Sequence, residues 1–164
     1  MNSNRKILSL PELVLKVEEE KKQGKKIVAT NGAFDLLHIG HKKALEEGKE
    51  LGDILIVGIN SDASVKQSKS DTRPILSHNE RAEMVAAMAS VDYVTIFNEK
   101  DPITFLESLH PDIYTKGGDY TLEQNVQADF VRKNVGEIKI ILGRIQSTTA
   151  IIDKIVETHK KKSS

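Results

Sequence analysis

Two histidines three residues apart, His38 and His41, bracket Gly40 a few residues after the apolar run Ile27, Val28 and Ala29. The stretch TNGAFDLLHIGH, residues 30–41, also holds Asn31, Gly32, Ala33, Phe34 and the carboxylate of Asp35. An ordinary strand-to-helix turn needs far less polar chemistry. His41 opens the pattern Ala44, Leu45, Gly48, Leu51, whose spacing puts one small and apolar face on a sheet and so sets His41 in the first turn of a helix. Free backbone N–H groups and the helix dipole favour an anion there, and His38, just ahead of the turn, can add a donor to the same oxygens. Gly40 permits close approach of a phosphate to the backbone. Two other readings stand beside this one. Both histidines could be satisfied packing residues, or Asp35, His38 and His41, each three apart, could form a two-histidine, one-carboxylate metal site. The metal geometry wants Asp35 on a continuing helix, whereas Gly32 and Gly40 argue for a loop.

Positioning such a turn requires a sheet. Short β-branched runs at 26–30, 53–59, 93–97, 112–115 and 138–142 alternate with helical patterns, a rhythm that predicts a doubly wound, parallel five-stranded α/β sheet of Rossmann-like type with helices on both faces. Leu13, Val14 and Val17 give residues 11–23 the one-sided face of a covering helix. Ser77 with Glu80 forms a capping box ahead of a helix over 81–89, and Asp101 with Pro102 supplies an N-cap and first helical position ahead of Phe105, Leu106 and Leu109. Residues 121–134 could be helical, although their apolar positions are sparse. In sheets of this kind ligands bind outside the carboxyl ends of the strands, where strand order reverses. Neither G-x-G-x-x-G nor a Walker A loop is present, so another phosphate cradle is required.

Further candidates lie after the strands. Lys69, Arg73 and Arg81 follow the second, and would be a solvated basic face unless a ligand recruits them. Lys116, Gly117, Gly118 and Asp119 follow the fourth, either as a flexible turn or as part of a substrate site. Ser147, Thr148 and Thr149 open the last helix, where one of them caps it and the same N–H groups can bind phosphate.

The whole chain narrows the partner. Its 164 residues suffice for one domain with a proper core, assigned to 1–157 with residues 1–24 as a covering helix. The remainder, 158–164, contains His159, Lys160, Lys161 and Lys162 and reads as a basic, frayed tail. With no cysteine there is neither disulfide nor thiolate chemistry. Twenty-four basic against twenty-four acidic residues leave no net field for a long nucleic acid, so the partner is expected to be small. Ser9, Pro11 and Glu12 interrupt the apolar positions near the N-terminus, which fits neither a signal peptide nor a membrane span, and a cytoplasmic protein is expected.

His38-Ile39-Gly40-His41 has the HxGH form of the nucleotidyltransferase superfamily, and GAFDLLHIGH resembles its cytidylyltransferase-like branch. KSDTRP at 69–74, Glu80-Arg81, VDYV at 91–94, PDIYTKGGDY at 111–120 and STTAII at 147–152 follow in the order found in the adenylyltransferase domain of bifunctional ADP-heptose synthases. The resemblance covers roughly residues 5–157 and has no counterpart of the sugar-kinase half, so a stand-alone version of the second domain is expected. It implies that a heptose 1-phosphate attacks the α-phosphorus of ATP in line, giving ADP-heptose and pyrophosphate. Catalysis would then fall to His38, His41 and Lys69. ATP would be held by the same His38 and His41 with Asn31, Gly32, Ala33, Phe34, Gly40, Arg81, Lys116, Gly117, Gly118, Ser147, Thr148 and Thr149. The sugar phosphate would fall to Asp35, Lys69, Arg73 and Asp119. Mg²⁺ would arrive mainly on the triphosphate, with no protein metal ligand assigned. ATP and heptose 1-phosphate are thus the expected partners, without nucleic acid or membrane, and a homodimer is left open. Ser70 and the segment 143–146 depart from the usual family pattern, in which glycines stand after the lysine and just before the serine. The alternative is a CTP-dependent enzyme acting on glycerol 3-phosphate or another small phosphate.

Overall fold

A computed structural model describes residues 3–117, 135–141 and 147–162. Five parallel strands, β1 (Ile27–Gly32), β2 (Ile54–Asn60), β3 (Tyr93–Phe97), β4 (Ile113–Gly117) and β5 (Glu137–Ile141), form one sheet in the order β3-β2-β1-β4-β5. The chain winds outward from β1 to β3, then crosses back to the far side of β1 to lay down β4 and β5. The reversal falls between β1 and β4, whose register pairs Val28 with Ile113 and Thr30 with Thr115. At its open end the Thr30 hydroxyl donates to the Thr115 carbonyl at 3.0 Å. The doubly wound parallel sheet expected from the sequence is therefore present, with each strand within two residues of its predicted bounds.

Both faces of the sheet are covered because its strands are apolar on both sides. All six residues from Ile54 to Ile59 are buried. Ile27, Ala29, Ile54, Ile56 and Tyr114 pack with Leu13 and Val17 of α1 (Leu10–Lys22) and with Phe105, Leu106 and Leu109 of α5 (Ile103–Leu109). Val28, Leu55, Val57 and Ile59 pack on the other face with Leu45 of α2 (Ile39–Lys49) and with Ala82 and Val85 of α4 (His78–Ala86). Each such fully buried aliphatic side chain contributes about 1.5–3 kcal/mol relative to exposure, which makes these two layers the main support of the sheet.

Several local details differ from the sequence reading. A helix α3 (Asp62–Ser68) directly follows β2, capped by Ser61, whose side chain accepts the Ser64 N–H at 3.3 Å. The Ser77–Glu80 capping box is formed, but α4 ends at Ala86 rather than 89. Pro102 is itself the N-cap of α5, with Asp101 Oδ1 accepting the Ile103 N–H at 3.0 Å. The last helix, α6 (Thr148–Lys162), runs through most of the basic stretch expected to fray. Residues 121–134 lie outside those described. At the opposite flank of the sheet, Ile7 makes a parallel bridge to Val94 of β3, and the Leu8 N–H donates to the Val94 carbonyl at 2.9 Å. No helix among the described residues is long and apolar enough to cross a membrane.

Candidate active site

The loop leaving β1 is built around a turn that few side chains tolerate. Phe34 has φ 47°, in the left-handed region that costs a bulky residue about 1–3 kcal/mol and persists only where its surroundings enforce it. Its ring folds back over Gly32, where an added Cβ would lie 3.1 Å from the ring, so glycine leaves room for the turn. The same ring tilts against His41 with centroids 5.1 Å apart.

His38 occupies the N-cap of α2 in extended conformation, and its Nδ1 accepts the Gly40 N–H at 3.1 Å. That bond makes Nδ1 the acceptor, so in the neutral ring the proton sits on Nε2. His41 follows one turn into the helix, and the two imidazoles stack with centroids 3.8 Å apart at 21°. Both rings line a cavity of about 500 Å³ that opens over the carboxyl ends of β1 and β4, at the reversal point of the sheet.

Along the strand order the cavity has two halves. On the β4–β5 side it is lined by Lys116, Gly117 and Ile141 together with Ser147, Thr148 and Thr149. Burial lowers the Lys116 ammonium below its usual value, while its Nζ lies 3.3 Å from Asn31 Oδ1, which also accepts the Tyr114 hydroxyl. Ser147 Oγ accepts the Ala150 N–H at 3.1 Å, the capping role foreseen for one of these three residues. Thr148 is buried and reaches back to the Leu36 carbonyl at 3.4 Å, which ties α6 to the histidine loop. On the β2–β3 side the lining includes Lys69, Arg73 and Lys100. Asn31, Gly32, Ala33, Phe34 and Gly40 line the cavity between the two halves.

Two of the expected site residues, Arg81 and the cavity-lining Asp35, are bound extensively within the protein. Arg81, assigned to ATP, has no exposed surface and does not line the cavity. Its Nη1 donates to the Ala33 carbonyl, its Nη2 to the Asn60 carbonyl at 2.8 Å and Asp62 Oδ1 at 2.7 Å, and its Nε to the Leu76 carbonyl at 3.0 Å. Four donations into the protein leave it a fastener of the loops, not a ligand contact. Asp35, assigned to the sugar phosphate, is 2% exposed, and its carboxylate accepts Arg73 Nε at 2.7 Å, Ile75 N at 2.9 Å and Leu76 N at 3.0 Å. Burial by itself would push this carboxyl up, but the Leu76 and Ile75 amides and the Arg73 guanidinium outweigh it and hold it below the ordinary carboxylate range. Those bonds also answer the metal reading: the Asp35 carboxylate is taken, and the two imidazoles stack face to face rather than converge. Among the described residues no cluster of three His, Asp or Glu could hold a metal ion.

Gly118, Asp119 and the segment 143–146 lie outside the described residues. Conversely, the cavity includes Lys43, Asn60 and Lys100, which the sequence did not single out. Asn60 ends β2, a position that the rule placing ligands at strand ends could have flagged. Lys43 and Lys100 carry no motif that separates them from other surface lysines.

A family model described as cytidylyltransferase-like matches residues 29–163. Bifunctional protein HldE of Geobacter metallireducens is 47% identical over 161 residues, covering 96% of this chain and 32% of that protein. The HldE of Campylobacter fetus is 48% identical over 151 residues, covering 92% of this chain and 31% of that protein. The chain thus spans about a third of the length of these curated relatives. Among solved structures, the lipopolysaccharide core biosynthesis protein of Thermoplasma volcanium is similar with a TM-score of 0.62 and 28% identity, over 76% of this chain and all of that one. A pantoate-beta-alanine ligase from Francisella tularensis shares the fold at the same TM-score with 17% identity, over 85% of this chain and 67% of that one.

Two predictions arise from Arg81 and Lys116. Arg81→Ala should lower the unfolding free energy by about 3–5 kcal/mol in urea denaturation, because it empties a buried site and leaves three carbonyls without their donor at once, with Asp62 keeping only His78. A loss below about 1 kcal/mol would contradict the fastening role. Lys116 binds its proton more weakly folded than unfolded, so burial of its charge costs stability at neutral pH, and that cost fades as pH rises from the lowered value towards 10.5. Lys116→Met should therefore melt higher than the parent at pH 7, with the gap closing under alkaline conditions. The Tyr93 hydroxyl, pushed up to about 12 by burial and by Glu20, is present in both proteins and cancels in the difference.

Proposed function

The chain belongs to the cytidylyltransferase-like nucleotidyltransferases related to HldE, and on that premise we propose that it transfers AMP from ATP to a heptose 1-phosphate. An oxygen of the sugar phosphate bonds to the α-phosphorus as the bond to the α,β-bridging oxygen breaks, giving ADP-heptose and pyrophosphate. The stacked His38–His41 pair at the start of α2 carries this reading, since it presents donors to the cavity beside helix N–H groups. No protein nucleophile is needed; the work is alignment of the two phosphates and stabilisation of charge that grows on the leaving group. His38 Nε2–H and His41 meet the α- and β-phosphate oxygens, Lys116 joins them from the end of β4, and Lys69 approaches from the other half. Mg²⁺ enters as part of the nucleotide substrate, as suits a hard ion that prefers phosphate oxygens and water.

Relatedness to HldE over nearly the whole chain supports heptose as the acceptor and links the product to lipopolysaccharide assembly. The reading makes this a cytoplasmic enzyme acting on small solutes, without nucleic acid. Because the matching family model is described as cytidylyltransferase-like, CTP with glycerol 3-phosphate is the reading to test against it.

A pyrophosphate-release screen crossing four nucleoside triphosphates with heptose 1-phosphate, glycerol 3-phosphate and other sugar phosphates tests both. ATP is expected to outperform CTP by at least about tenfold, near 1.4 kcal/mol, which one or two hydrogen bonds to the base edge supply. Preference for CTP and glycerol 3-phosphate would replace the heptose reading. His38→Ala and His41→Ala should each lower turnover by about a hundredfold or more with circular dichroism unchanged, since each removes a donor to transition-state charge. Near-normal turnover in either variant would remove the histidine pair from the mechanism.

A further inference from the structure

Asn60 ends β2 on the cavity wall, and a chain of hydrogen bonds settles which way its side chain faces. Its backbone is fixed first: the Asn60 carbonyl accepts Arg81 Nη2 at 2.8 Å, and the next N–H, that of Ser61, donates to the Phe97 carbonyl at 2.9 Å. Ser64, on α3 with no exposed surface, then orients the amide. A hydroxyl has one proton, and Ser64 donates it at 2.8 Å to the Glu99 carbonyl, an oxygen that can only accept. Towards Asn60, 3.0 Å away, Ser64 Oγ is therefore an acceptor, so Nδ2 is the atom beside it. Oδ1 is turned the other way. It has no hydrogen-bond partner among the described residues and is not one of the buried polar atoms that lack one, which leaves it reachable from the cavity that Asn60 lines.

An amide oxygen accepts and cannot donate, so a phosphate oxygen gains nothing from it, whereas an O–H group does. Asn60 stands on the β2–β3 side of the cavity with Lys69 and Lys100, whose charges suit an anion. The Asp35 carboxylate on that side is taken up by Arg73 and by the Ile75 and Leu76 amides, which leaves little of it for a hydroxyl. A ligand that satisfies both the cations and the amide oxygen is a phosphate ester with a hydroxyl group near its phosphorus. Resting on the proposed transfer to a sugar phosphate, we infer that Asn60 selects the acceptor by taking a hydrogen bond from one of its hydroxyl groups through Oδ1, with Ser64 as the positioning residue that keeps the amide turned that way. On the same reading the nucleotide lies over the histidine pair towards Lys116, so Asn60 acts on the acceptor alone.

The acceptor that the pyrophosphate-release screen returns, heptose 1-phosphate on the present reading, is the substrate for the test. Asn60→Ala should raise its KM by about tenfold, the loss expected of one hydrogen bond, and leave the KM for ATP within about twofold with circular dichroism unchanged. Monodeoxy versions of the acceptor give the readout that a merely structural role would not move. One of them should lose about tenfold in kcat/KM with the parent protein and less than about twofold with Asn60→Ala, where the missing hydroxyl has no partner to lose. Ser64→Ala should show part of the same loss in the parent and add nothing in the Asn60→Ala background. An equal rise in KM for ATP, or a deoxy penalty equal in both proteins, overturns the inference. A second measurement does not depend on turnover. In asparagine-labelled full-length protein, the side-chain amide signals that vanish in Asn60→Ala should shift with the acceptor, or with heptose 1-phosphate if the screen returns none, and stay fixed with methyl phosphate, which has the anion without an alcohol. Signals that fail to distinguish the two overturn the inference, while the heptose reading is judged by the screen alone. Signals that do distinguish them when heptose is not turned over leave the Asn60 contact standing and end the heptose reading.

Discussion

A guanidinium with no exposed surface is the constraint on which the site depends. Arg81 reaches from α4 to the carbonyls of Ala33, Asn60 and Leu76 and to the Asp62 carboxylate, so one side chain joins the loops that leave β1 and β2 and the segment ahead of its own helix. Desolvating such a charge is expensive, and only a nearly complete set of acceptors offsets it. The acceptors are mostly backbone, which means that moving any of these loops would strand a buried donor. The left-handed turn at Phe34 sits next to the Ala33 carbonyl that Arg81 holds, so the strain there is fixed by the same fastening that fixes the loops. Asp62, which burial would push up, is instead held below the ordinary carboxylate range by Arg81 and His78, and so keeps its charge opposite the guanidinium.

Upon that frame the polar groups divide by what their surroundings leave them. Arg81 and Asp35 are saturated by protein and hold shape. His38 has its Nδ1 engaged by the Gly40 N–H, and Arg73 has its Nε fixed on the Asp35 carboxylate. Fixing one nitrogen of a ring or guanidinium orients the rest of the group, and orientation in advance is what stabilisation of growing charge requires. Lys116 is a third case: half-buried at the end of β4, it is a cation whose charge would be eased by an arriving anion.

The sheet was legible in the sequence because its strands are buried on both faces and therefore read as unbroken β-branched runs, and the histidine turn was legible because two imidazoles around a glycine have few structural reasons to follow a strand. Other features left little trace. Helix α3 buries only Ser64 and Val65, too little for a periodic signal, although its Ser61 cap was there to be read. Arginine is ordinarily exposed, so Arg81 looked like a cavity or surface cation; three of its four partners are carbonyls, which every residue possesses, and they lie between 5 and 48 positions away. The bonds of Asp35 were illegible for the same reason, since its amide partners are about 40 residues downstream and leave no mark of residue type.

The bridge between Ile7 and Val94 has a bearing on how copies of this molecule behave at high concentration. A strand at the flank of a sheet ordinarily offers a row of unmade N–H and C=O groups that another chain can adopt, the usual entry to aggregation. Here the N-terminal segment lies on the middle of β3, and Lys6 crosses beside it to the carbonyls of Met88 at 3.2 Å and Val91 at 2.6 Å, bringing a charge to the flank. That side of the sheet is thereby withheld from strand exchange, and trimming the first eight residues would expose a sticky template without touching a single group that faces the cavity.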